Sequence, residues 1–151
     1  MKRRLFLIAL TLALPLAAAA RDEKPAADKR LMLEVNGHAL RVTVARTPAE
    51  RSMGLMFATK LGKDDGMLFI YPEAAVSAMW MKNTNIPLSV AFLDEQGVII
   101  NIEDMQPQTL DAHPSKAPAK YSIETNLGWF KQHGAGPGMK VTGPEKAPTA
   151  E

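Results

Sequence analysis

The chain reads as a mainly β protein, a compact β-sandwich or partly open barrel of about eight short strands with two short helices. Three observations predict it. Short runs in which apolar and polar residues alternate recur between turn signals from Leu31 onward. An Asn36-Gly37 pair stands between two such runs, and Asn-Gly is a strong hairpin signal because a type I′ turn needs positive φ at both central residues. Only two segments carry a helical rather than a two-residue period.

Element by element, residues 31–35 alternate weakly, and after the turn Leu40, Val42 and Val44 alternate against Arg41 and Thr43. Thr47-Pro48-Ala49-Glu50 opens a helix: Thr is a good N-cap, Pro suits the first helical position, and Glu50 completes a capping box. That helix is expected to run to about Phe57, with Met53, Met56 and Phe57 on one apolar face. LGKDDG (61–66) is a turn, and MLFIY (67–71) is an apolar strand closed by Pro72. In VSAMWMK (76–82), Val76, Ala78, Trp80 and Lys82 share one face of a strand, and Ser77, Met79 and Met81 the other. NTNIP (83–87) is a loop. Strands at 88–93 and 98–103 flank the Gly-ended loop Asp94-Glu95-Gln96-Gly97. Residues 106–120 form a Pro-rich loop carrying His113, long enough to be functional or mobile. A strand at 121–125, an amphipathic helix at 127–133, the turn GAGPG (134–138) and a last strand at 139–142 complete the domain.

The domain is flanked by segments of other character. MKRRLFLIALTLALPLAAAA (1–20) has a basic start, an apolar run and a small-residue tract, the pattern of a secretory signal peptide cleaved near Ala20. The run is too short for a spanning helix of about 20 apolar residues. Residues 21–30 (RDEKPAADKR) read as a disordered leader, 31–142 as a single domain, and 143–151 as a flexible tail. Loss of Lys2, Arg3 and Arg4 takes the 18 basic residues to 15 against 16 acidic ones, so a net charge of +2 becomes −1. No basic run remains, and no nucleic-acid partner is expected. Cysteine is absent, which excludes disulfides, thiolate nucleophiles and Cys-held metals. The expectation is a periplasmic or secreted monomer with no membrane span after cleavage, no cofactor and no metal.

Pro48-Ala49-Glu50-Arg51, Gly54-Leu55-Met56, Gly66-Met67-Leu68-Phe69, Trp80-Met81-Lys82-Asn83-Thr84, Ile86-Pro87-Leu88, Phe92, Asp94, Gly97, Ile123-Glu124 and Gly128 together resemble the DUF192 family, small bacterial and archaeal proteins of unassigned function. The block MWMKNTNIPL is the most specific part of the likeness. The chain departs from the pattern at Gly138-Met139, where members often carry Gly-Asp, and in a looser loop around His113. The resemblance implies a compact, mainly β domain and supplies no activity.

The densest polar–aromatic cluster is Trp80, Lys82, Asn83 and Thr84. As a pocket rim it offers an aromatic platform, a cation and two neutral hydrogen-bonding groups, which suit a carboxylate, a sugar or a peptide terminus. The competing reading makes Trp80 core and Asn83 and Thr84 turn formers. Arg51, set against the helix dipole in the first turn, calls for a compensating partner, and Glu124 or Asp94 is expected to pair with it. The function expected is a binding or accessory module for a small polar ligand or peptide. One alternative is a hydrolase using Asp94 or Glu124 near the Trp80–Thr84 rim, drawn from a titratable supply of Asp94, Glu103, Asp104, Asp111, Glu124, His113 and His133. No nucleophile elbow or phosphate loop supports it. A lesser alternative is a copper-binding protein using His113 with some of Met32, Met53, Met56, Met67, Met79, Met81, Met105 and Met139, although Met also fills cores.

Overall fold

The computed structural model describes residues 30–151. The expected signal peptide (1–20) and all but the last residue of the leader lie outside the described residues. That last residue, Arg30, pairs with Asp65 at 3.1 Å.

Nine strands occur among the described residues: β1 (Leu31–Val35), β2 (His38–Ala45), β3 (Asp65–Ala75), β4 (Ala78–Met79), β5 (Leu88–Leu93), β6 (Ile99–Met105), β7 (His113–Pro114), β8 (Ala119–Asn126) and β9 (Val141–Thr142). Two short helices, α1 (Pro48–Met53) and α2 (Trp129–Gln132), and a 3-10 turn (Pro144–Lys146) accompany them. Seven strands form one curled sheet in the order β6-β5-β8-β3-β2-β1-β9, and β4 and β7 pair separately. Of the sandwich and the partly open barrel that the sequence allows, this is the second.

Local chemistry explains the elements. Asn36 and Gly37 have φ of 49° and 78°, the two left-handed residues that a type I′ hairpin needs, and Val35 pairs with His38 across the turn. Thr47 Oγ1 accepts from the Glu50 amide at 3.2 Å while Glu50 Oε2 accepts from the Thr47 amide at 2.9 Å, a complete capping box. The Thr47 and Arg46 amides, both donating to Glu50 Oε2 at 2.9 Å, hold the Glu50 carboxyl below its usual range. Helix α1 is shorter than expected, because Gly54 takes a φ of 47° and ends it. The apolar face expected for Met53 and Phe57 is therefore not buried: both side chains are exposed, Phe57 at 63%. Helix α1 lies in the crossover between β2 and β3, which run parallel with Val44 opposite Leu68.

Side chains alternate across the sheet, so each strand feeds two cores. Leu33, Val35, Leu40, Val42, Leu68 and Ile70 join Ile123, Trp129 and Phe130 on one face. Val90 and Phe92 of the wholly buried β5 join Met81, Leu88, Met105 and Ala119 on the other. The segment 143–151, expected as a loose tail, folds against the first core instead. Pro144 is buried, Ala147 and Ala150 pack on the cluster, and Glu151 pairs with Arg46 at 2.8 Å. The Pro-rich loop is also organised in part, with His113 and Pro114 opposite Met79 and Ala78.

Candidate functional site

On the second face a cleft of about 410 Å³ opens between α1, β3, the β4 segment and β8. Its position follows from alternation. Ile123 points into the first core, so Ser122 and Glu124 point the other way; on β3, Leu68 and Ile70 are core and Phe69 and Tyr71 face the cleft. Register places Glu124 between Met67 of β3 and Val90 of β5. A carboxyl thus sits in an apolar row at the centre of the sheet.

Glu124 is 4% exposed and has no hydrogen bond or ion pair among the described residues. Burial raises its pKa to about 8, since the ionised form loses hydration with nothing to replace it. Beside it, the Tyr71 hydroxyl shares a 3.0 Å hydrogen bond with Ser122 Oγ and lies 3.6 Å from Met79 Sδ. Burial raises the Tyr71 pKa too, and the charge on Glu124 pushes in the same direction. Met53, Met56, Met79 and Phe69 supply apolar walls.

The expected rim is divided by the structure. Trp80 is 49% exposed and lines the cleft, with Lys82 Nζ 5.2 Å from its ring centroid, a cation–π contact. Thr84, 5% exposed, also lines it, its hydroxyl donating to the Lys82 carbonyl at 3.3 Å. Asn83 does not line it. Its φ is 55° and its carbonyl accepts from the Phe57 amide at 2.8 Å, the work of a turn former.

The expected ion pair of Arg51 with Glu124 or Asp94 is not formed. Arg51 lines the cleft, but its guanidinium donates to the carbonyls of Arg46, Ile70 (3.1 Å) and Glu151 (3.2 Å). Those backbone oxygens compensate the cation without a side-chain carboxylate. Asp94 stays in its hairpin, accepting from the Gln96 and Val98 amides at 2.9 and 2.8 Å. Asp104 accepts from Ser89 at 2.5 Å and Glu103 from Asn101 at 3.0 Å. Glu124 is therefore the one carboxylate lining the cleft among the described residues, and the acid–base pair a hydrolase would draw from that supply does not assemble there. His133 packs on Trp129, ring centroids 4.2 Å apart, and His113 has a buried Nε2 without a partner; neither lines the cleft.

Sequence reasoning placed Glu124 in support and missed Phe69, Tyr71, Met53, Met56 and Met79 as cleft walls. A signal was present: in YSIET (121–125) and MLFIY (67–71), the residues out of phase with the core-facing Ile123 and Leu68 all point to one surface.

The fold and much of the sequence recur in known structures. A protein of Sinorhizobium meliloti 1021, provisionally described as a transcription regulator, is 36% identical with a TM-score of 0.71, over 76% of this chain and 92% of that one. A protein of unknown function from Novosphingobium aromaticivorans DSM 12444 is 34% identical with a TM-score of 0.70, over 74% of this chain and 82% of that one. No curated protein matches. Residues 31–143 match DUF192, described as "Uncharacterized ACR", so the whole sheet and its cleft fall within the matched region. The chain belongs to the DUF192 family.

Proposed function

We propose that the protein is an exported binding module for a small polar ligand, held in the cleft over Glu124. One observation carries the reading: a buried carboxyl without a partner among the described residues forms the floor of an open cleft. Burying a polar group unpaired costs about 1–3 kcal/mol, more for a charge, and a ligand that completes its bonding recovers that cost. The half-exposed Trp80 adds a flat apolar surface at the mouth. The cleft volume falls within the range of about 300–1,000 Å³ usual for small-ligand sites.

A screen of small polar compounds by NMR should shift the amides of Tyr71, Trp80, Lys82 and Glu124 together. Trp80→Ala should keep the fold, because the ring is half exposed, and weaken the best compound about tenfold. A screen in which no compound moves these resonances would overturn the reading. Export is supported by the basic, apolar and small-residue sequence of 1–20. N-terminal sequencing of protein recovered from the periplasm or medium should begin near Arg21; an intact Met1 on that protein would refute cleavage.

The three thioethers of Met53, Met56 and Met79 on one cleft favour a second reading, a soft Cu(I) site. Titration of the apoprotein with Cu(I) separates the two, since only a metal site shifts the methionine methyl resonances without an organic ligand.

A further inference from the structure

We propose that the cleft takes a zwitterionic ligand of the amino-acid class, its ammonium on Glu124 and its carboxylate turned toward Lys82. The proposal rests on the reading of the cleft as a ligand site and names the charges that ligand carries.

Two opposite charges line one cleft and neither is in an ion pair among the described residues, Lys82 having its cation–π contact with Trp80. Glu124 has no cation beside it in an ion pair, and Lys82 forms none among the described residues. The other cation of the lining, Arg51, spends its donors on three backbone carbonyls. Lys82 lies over Trp80 at the mouth, where its ammonium stays free to meet an anion. The same cleft is lined by thioether and aromatic groups: Met53, Met56, Met79 and Phe69. Such walls suit an aliphatic or thioether side chain, and polarisable groups tolerate an adjacent ammonium.

Competing ligand chemistries each leave something unmatched. A carboxylate alone satisfies Lys82 and leaves Glu124 unpaired. A simple alkylammonium does the reverse. A neutral hydroxylated compound can hydrogen-bond the protonated carboxyl but brings no anion to Lys82. The zwitterion matches both ends. It also accounts for a costly buried acid: the ammonium that stabilises its ionised form arrives with the ligand.

The sign of the proton linkage follows. In the free protein the Glu124 carboxyl is mostly protonated at pH 7, and the titratable and charged groups sharing its cleft are Arg51, Tyr71 and Lys82. An ammonium favours the ionised form, so binding releases a proton, and affinity rises with pH until the ligand amine itself titrates.

Calorimetric titration with L-leucine and L-methionine, alongside N-acetyl-L-leucine and L-leucinamide, tests this. The free amino acids should bind, and release of nearly one proton should emerge from comparing phosphate with Tris buffer at pH 7. Blocking the amine should weaken binding about 10–100-fold, the loss of one charge-assisted contact. Glu124→Gln, which keeps the shape, should remove both the discrimination against the N-acetyl compound and the proton release. Lys82→Met should instead remove the preference for leucine over leucinamide. Equal binding of leucine and its N-acetyl derivative, or undiminished binding by Glu124→Gln, overturns the proposal. If amino acids leave the cleft resonances unmoved while neutral compounds shift them, the zwitterion is wrong and the cleft remains a ligand site. If no compound shifts them, both fall.

Discussion

Glu124→Gln is expected to stabilise the protein at neutral and alkaline pH by about 3–5 kcal/mol, the largest single effect anticipated. The carboxyl keeps its proton to about pH 8 in the folded chain, against an ordinary value of 4.5. Between those values the folded state binds a proton that the unfolded state has released. Stability therefore falls as pH rises through that window. Below about 4.5 both states are protonated and Glu124 costs nothing by ionising; above about 8 the full cost is present. Gln is uncharged throughout, so the difference between the two proteins should be small at pH 4, widen from pH 5 and level off above pH 8. Urea unfolding of both proteins across pH 4–9 measures it. Parallel curves would mean that the carboxyl is not desolvated. A variant more stable than the parent and unable to bind would show the site holding strain that only a ligand relieves.

Arg51→Ala should cost about 2–3 kcal/mol and release the C-terminal segment. The guanidinium joins three parts of the chain at once: the entry to α1 through Arg46, the end of the first straight stretch of β3 through Ile70, and the last residue through Glu151. Removing it takes one donor from each of these backbone oxygens, although the Arg46 carbonyl keeps the Glu151 amide at 2.9 Å. Arg51→Lys should recover only part of the loss, since one ammonium cannot reach three acceptors arranged for a planar fork. Chemical denaturation gives the energy, and hydrogen exchange at residues 145–151 gives the location. Unchanged exchange there in Arg51→Ala would show that Pro144, Ala147 and the Arg46–Glu151 pair hold the segment unaided.

The elements that sequence reading placed well are those whose determinants lie within a few residues. Asn36-Gly37 encodes its own turn, Thr47-Pro48-Ala49-Glu50 its own cap, and the runs at 67–71 and 88–93 their own strands. Helical spacing of Met53, Met56 and Phe57 predicts a longer α1 than forms, because Gly54 between them leaves the helical region of backbone space. Pro144 and Pro148 predict a loose tail because they break regular structure, yet a buried Pro and two alanines dock a segment whose only regular element is a single 3-10 turn. Of the candidate site, Trp80, Lys82 and Thr84 line the cleft, but not by the alternation expected over 76–82: β4 covers only Ala78–Met79, and residues of both expected faces meet on the cleft.

What the amino-acid sequence determined alone is the mainly β class and the hairpins and caps, since each depends on propensity and period over short stretches. Tertiary structure alone decided the strand order β6-β5-β8-β3-β2-β1-β9, the docking of the tail and the choice of Glu124 over Asp94 as the carboxylate of the cleft. The reason is that pairing partners distant in the chain, such as Met67 and Val90 on either side of Glu124, set the surroundings of a side chain, and those surroundings govern its charge.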